Sequence, residues 1–167
     1  MDRDRLARHE AAHVVVARLE GVRVVSVSLE PTNEDNVAQT ALDFDAIRAD
    51  RPRYWRACLR TGLAGVEQVF LESGQISAAP GQGRARGDYA DALLVIEEAA
   101  KEGIALGLRA ERRWVRRLLR RHWPDLERIA AELLEDEGVR LFDGHGRRLI
   151  LRDTARVGAW LVAEVSS

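Results

Sequence analysis

Apolar residues recur at helical spacing from Arg3 to Glu20, Leu6, Val14 and Ala17 among them, and Gly21 supplies the stop. From Val22 to Leu29 the period changes to two: valine and serine alternate through Val25, Ser26, Val27 and Ser28, which predicts a strand with one buried face. Pro31 to Asn36 is turn chemistry, and Val37 to Leu42 is the next short apolar stretch, a second strand. Helical patterning returns between about Pro52 and Leu71 and stops at Gly74. Ser77 to Gly87 carries Pro80, Gly81, Gly83 and Gly87 and reads as a loop. Helices are expected from about Asp88 to Leu106 and from about Arg109 to Glu137, the latter bent near Trp123-Pro124. Val139 to Phe142 and Arg147 to Leu151 flank Asp143-Gly144 as a hairpin, and Asp153 caps a closing helix to about Val165.

No repeat, low-complexity tract or linker divides this order of elements. The expectation is one domain over 1–167, of α+β class and mostly α-helical, with a small sheet or hairpins. A chain of 167 residues with 46% hydrophobic residues can bury a sizeable core. Its net charge of -1 exerts no global pull on nucleic acid or membrane, so neither is expected as a partner. Cys58 is the single cysteine, which excludes an intramolecular disulfide and a cysteine-built zinc site and fits a reducing compartment. The apolar run Val14 to Ala17 is too short to span a bilayer, and the charged start Asp2-Arg3-Asp4-Arg5 has no signal-peptide core. These features predict a cytoplasmic protein.

The segment that carries chemistry is His9-Glu10-Ala11-Ala12-His13. Histidines four apart on a helix project from one face, one turn apart, and their imidazole nitrogens can hold one Zn2+ ion. A glutamate after the first histidine reaches a water on that ion, whose pKa zinc lowers toward 7, and takes its proton as general base. Lysine at either histidine position would be charged and unable to ligate. A catalytic zinc usually has three protein ligands, so one is missing from this segment. His122 lies in an arginine-rich helix and His145 in the turn Asp143-Gly144-His145-Gly146, and neither context points toward a metal. Asp88, after the glycine-rich loop at a helix start, is the better candidate. It has a rival in Asp91, one turn later, and a second role open to it as the cap of its helix.

Taken with their order, these segments resemble the peptidase domain of the FtsH family, the membrane-anchored AAA+ zinc proteases of bacteria, mitochondria and chloroplasts. Leu6-Ala7-Arg8-His9-Glu10-Ala11-Ala12-His13 is similar to that family's zinc helix, with Ala12 in place of the glycine of its usual HEAGH. Val24 to Leu29 matches the strand that follows. Gly62-Leu63-Ala64-Gly65-Val66-Glu67-Gln68-Val69-Phe70 resembles the family's GRAAEELVF helix, with Val66 and Glu67 leaving one of its two acids. Gly87-Asp88-Tyr89 resembles its N-D-L helix start, whose aspartate is the third zinc ligand, and Leu118 to Glu137 resembles its penultimate long helix. The resemblance covers about residues 5–140 and leaves 139–167 unassigned. It implies a zincin-like zinc helix, with His9, His13 and Asp88 as metal ligands and Glu10 as catalytic base. The family's ATPase module and membrane helices have no counterpart here, so an ATP-independent, stand-alone domain is expected. Because the family assembles as rings, a homo-oligomer or a delivering partner protein is a further expectation.

Other features have duller readings. Arg109, Arg112, Arg113, Arg116, Arg117, Arg120 and Arg121 read as the solvated face of a helix whose buried stripe is Val115, Leu118, Leu119 and Leu126. Asp125, Glu127, Glu132, Glu135, Asp136 and Glu137 follow to balance them. Tyr54, Trp55 and Trp160 read as packing residues and Cys58 as a small buried apolar group. The functional expectation is a zinc metalloendopeptidase acting on unfolded or partner-delivered polypeptide, with the strand near Val37 to Leu42 offering an edge for an extended peptide. Two alternatives stand beside it: a non-catalytic zinc-binding pseudo-peptidase serving regulation or assembly, and a small repressor-cleaving metallopeptidase.

Overall fold

Residues 3–29, 39–74, 85–135, 140–142 and 148–150 are described by a computed structural model. Helix α1 spans Arg3–Glu20, with the bounds the apolar spacing predicts, and Gly21 stops it at a positive φ of 74°. It is buried on most of its circumference, from Leu6 and Ala7 through Ala11, Ala12 and Val14 to Ala17. A helix enclosed in this way is the centre of the core rather than its surface. Small Ala11 and Ala12, both fully buried, let neighbouring elements approach its backbone closely.

Strand β1 (Arg23–Ser28) runs antiparallel to β2 (Gln39–Asp43), Val27 facing Thr40. The serine–valine alternation does not translate directly into burial. A bulge between Val24 and Ser26 inserts one extra residue, so Val24 and Val27 are both buried while Val25 is half-buried. Strands β3 (Arg140–Phe142) and β4 (Arg148–Ile150) form the expected antiparallel hairpin, and β3 pairs with β1 at Ser26 and Val27. The sheet order is β2-β1-β3-β4. The hairpin that fell at the limit of the family resemblance is thus part of the same sheet as the strand after α1.

Helix α2 (Arg51–Ser73) begins with Asp50, whose side chain accepts a bond from the Arg53 N–H at 3.2 Å, and with Pro52 in its first turn. It ends at Gly74 in the left-handed region, whose N–H bonds the Phe70 carbonyl at 2.9 Å. Helix α3 (Ala85–Lys101) starts three residues earlier than expected, so Ala85 to Gly87 are helical rather than loop, and Asp88 lies inside the first turn. Residues 77–84 of that loop lie outside the described residues. The last long helical stretch is two helices, α4 (Leu108–Arg121) and α5 (Trp123–Glu135), which part at His122. Pro124 sits in the first turn of α5, where its missing N–H costs no helical bond. Leu59 and Leu63 of α2, Leu119 of α4 and Leu126 of α5 are fully buried around α1.

The architecture is α+β and mostly α-helical, with a small sheet. Among the described residues no helix is long and apolar enough to cross a membrane. The expected closing helix from Asp153, with Trp160, lies outside the described residues, as does His145.

Two expectations change on packing grounds. Arg112 and Arg116 are not solvated: both are half-buried and both bond Glu67, which is fully buried on α2. The exposed row is Arg109, Arg113, Arg117, Arg120 and Arg121. Of the acids that follow, Asp125 pairs with His122 and Arg128, and Glu132 with Arg128. Tyr54 and Trp55 are half-buried rather than core, with the Arg51 guanidinium over both rings at 4.7 and 5.1 Å.

Candidate metal centre

Two elements bring the candidate ligands together. His9 and His13 lie one turn apart on α1, and Asp88 approaches from the first turn of α3. His9 Nε2 and His13 Nε2 are 3.3 Å apart, and Asp88 Oδ2 is 2.9 Å from the first and 3.5 Å from the second. Their ligand atoms form a group able to hold a metal ion. A tetrahedral ion with ligands at about 2.0–2.1 Å sets neighbouring ligand atoms about 3.3–3.4 Å apart, so two of the three separations lie near that spacing and the His9–Asp88 one is shorter.

Orientation agrees with spacing. His13 Nδ1 lies 2.8 Å from the Thr61 carbonyl oxygen, a bond that only a protonated Nδ1 can donate. That partner turns His13 Nε2 toward the cluster, as a backbone carbonyl does behind many metal-ligating histidines. Asp88 Oδ2 is buried without a hydrogen-bond partner despite its short distance to His9. The contact between them is of ion-pair length without the geometry of a hydrogen bond. A converging set of two imidazoles and a carboxylate, with an orphaned buried oxygen, fits a resident cation.

The local sequence of α2 makes room for this geometry. A Cβ on Gly65 would lie 2.1 Å from His9 Cε1 and 2.5 Å from His9 Nε2, so the imidazole rests on bare backbone. Any larger residue there would displace the ring. Thr61 and Gly65, four apart on one face of α2, thus contact His13 and His9, four apart on the facing α1. Spacing within α1 alone cannot reveal these supports, because they come from a helix roughly fifty residues away in sequence.

Charge is strongly coupled here. Burial alone would push the His13 imidazole down, but contact with Asp88, the charges of Asp88 and Glu10 and the Thr61 carbonyl outweigh it and raise its pKa to about 9. Burial alone would raise Asp88, yet His13 and His9 outweigh it and hold the carboxyl far below the usual carboxylate range. The carboxylate is therefore ionised at neutral pH, as a ligand must be.

Glu10 is 2% exposed, and its Oε2 accepts a bond from the Thr40 hydroxyl at 2.7 Å. Thr40 lies on β2, which no other described strand flanks on its outer side. The base candidate is therefore tied to an edge strand beside the histidines. Of the two aspartates open as third ligand, the structure brings Asp88 to the histidines, while Asp91 is exposed and lines a neighbouring pocket. Asp88 is also not the helix cap, since α3 begins at Ala85. His122 is engaged by Asp125 at 3.2 Å on α4's far end.

Behind the centre, the carboxylate of Glu67 is held by Arg112 and Arg116, with Arg112 stacked 5.7 Å from the Tyr89 ring. Tyr89 follows Asp88, so this cluster links α2 and α4 to the turn of α3 that carries the ligand. No protein-family profile, curated protein or solved structure matches the chain.

Proposed function

We propose that this protein is a zinc-dependent peptidase of the kind the FtsH-family resemblance suggests, with His9, His13 and Asp88 as ligands and Glu10 as general base. The observation that carries the reading is the convergence of His9 Nε2, His13 Nε2 and Asp88 Oδ2 within 3.5 Å of one another, beside a buried glutamate. Zinc, when bound, supplies a Lewis acid that polarises a carbonyl and makes water acidic enough to lose a proton near neutral pH. The Glu10 carboxylate accepts that proton and returns it to the leaving amine nitrogen. Thr40, donating to Glu10 Oε2 at 2.7 Å, fixes the carboxylate on the substrate side of α1. Thr61 keeps His13 Nδ1 protonated, and Gly65 lets the His9 ring lie flat against α2.

The outer edge of β2 supports a polypeptide substrate. A peptide in extended form can add to it by main-chain bonds, which requires a segment free of its own secondary structure. Unfolded chains, or segments presented by a partner protein, meet that requirement.

The test is cleavage of casein, an unfolded protein, by zinc-loaded wild type and by Glu10→Gln side by side. Cleavage by wild type with at least a hundredfold loss in the variant is expected. Equal cleavage by both would remove Glu10 as base. No cleavage by either, with zinc bound, would favour a non-catalytic zinc-binding module.

A further inference from the structure

A pocket of about 500 Å³ opens beside the candidate centre, with His13 at one end and Thr40 and Leu42 of β2 along one side. Cys58, Thr61 and Gly62 of α2 form its floor, and Asp91, Ala92 and Val95 of α3 its other wall. Leu42, Phe44 and Val95 are its largest apolar lining residues. Its hydroxyls are already committed, Thr40 to Glu10 and Thr61 to the carbonyls of Ala57 and Cys58. Among the described residues that line it, Asp91 carries the one carboxylate. Asp91 is exposed at the rim and has no ion-pair partner among the described residues.

We infer that this pocket is a specificity subsite for a side chain with an apolar stem and a cationic end, lysine or arginine, and that Asp91 selects it. The inference rests on the peptidase reading, since it places that side chain next to the bond being cut. The physical argument is complementarity along one axis. A lysine or arginine stem buries its methylenes against Leu42, Phe44 and Val95 while the charged head stays at the wet rim, where Asp91 waits. A neutral aliphatic chain makes the same apolar contacts without the charge pairing. A glutamate meets the Asp91 carboxylate with like charge and is disfavoured. The pairing is partly solvated, so its expected effect is modest, about fivefold between lysine and a neutral chain of the same length.

The experiment uses one fluorescent peptide sequence with lysine, norleucine or glutamate at a single position, placed in turn on each side of the scissile bond. kcat/KM is measured with the zinc-loaded wild type, Asp91→Asn and Asp91→Lys. The expected order in wild type is lysine, then norleucine, then glutamate, at one position only. In Asp91→Asn the ratio of lysine to norleucine falls to near one, and in Asp91→Lys glutamate overtakes lysine. The same order in all three proteins would overturn the assignment of Asp91, and no preference in wild type would overturn the subsite. Binding of the same peptides to zinc-loaded Glu10→Gln, followed by fluorescence anisotropy, separates the two claims. Lysine-selective binding that Asp91→Lys reverses, without cleavage by wild type, would keep the subsite and remove the peptidase. Cleavage without selectivity would keep the peptidase and remove the subsite, and neither binding nor cleavage would remove both.

Discussion

Two clusters of charge lie on opposite sides of α2, and they treat their charges differently. Toward α4, the fully buried Glu67 has a guanidinium on each carboxylate oxygen, Arg112 on Oε1 and Arg116 on Oε2. Toward α1 and α3, the Asp88 oxygen nearest the histidines is buried with no hydrogen-bond partner, and two imidazole nitrogens crowd it. A charge whose function is to hold helices together is satisfied within the protein, because an unmatched buried ion is costly. Asp88 is paired instead with His9 and His13, side chains that can exchange a proton for a metal ion. The difference supports the proposal that the second cluster is a ligand site, even though both use acids and bases at similar depth.

The comparison breaks most sharply at Glu67. Glu67→Gln leaves two half-buried arginines without their counter-ion and should cost about 3 kcal/mol in urea unfolding, with or without zinc. At the metal centre the expectation is the reverse, a stability that depends on what is bound. His13 has its folded pKa raised from 6.5 to about 9, so its contribution in the metal-free protein is fully present below pH 6.5 and lost as pH rises through about 9. Asp88 has its folded pKa lowered, so its contribution is present above its ordinary 3.8 and is lost as pH falls below that. The Tm of the metal-free protein should therefore decline from pH 6.5 to 9, and saturating zinc, which replaces the proton on His13, should abolish the decline. A decline of equal size with zinc bound would place its origin elsewhere.

Gly65→Ala sharpens the contrast without touching a charge. Its new methyl collides with the His9 ring, so zinc affinity should fall about ten- to a hundredfold in a chelator competition. Gly62→Ala is the control: a Cβ there meets nothing within 4 Å, and helix propensity should make the variant more stable by about 0.5–1 kcal/mol. A similarly small effect is expected at Thr40. Thr40→Val removes the bond to Glu10 and should lower kcat/KM about fivefold, a net 1 kcal/mol, while zinc affinity stays within about twofold.

Much of this was legible along the chain, and the boundary of legibility is physical. The bounds of α1 follow from its apolar spacing and from Gly21, and the histidine pair from the helical repeat, because both are local. Asp88 is favoured over Asp91 in the sequence by the glycine-rich loop before it and by the resemblance; in space Asp88 meets the histidines of α1 and Asp91 lines the pocket. Gly65, Thr61 and Thr40 were not legible as site residues, since each acts through a contact with α1 from another element. Arg112 and Arg116 were misread as solvated because their neighbours in sequence are exposed arginines and their partner, Glu67, lies on another helix. The bulge at Val25 likewise broke a strand period that looked regular.

The measurement that bears most directly on the central claim is a calorimetric zinc titration of the wild type, Asp88→Ala and Asp91→Ala. The proposed metal centre predicts one zinc per chain in the wild type, affinity weakened about a hundredfold or more in Asp88→Ala, and affinity unchanged in Asp91→Ala. Zinc bound as tightly by Asp88→Ala as by the wild type, or no binding by the wild type, would contradict the assignment of His9, His13 and Asp88 as a metal centre.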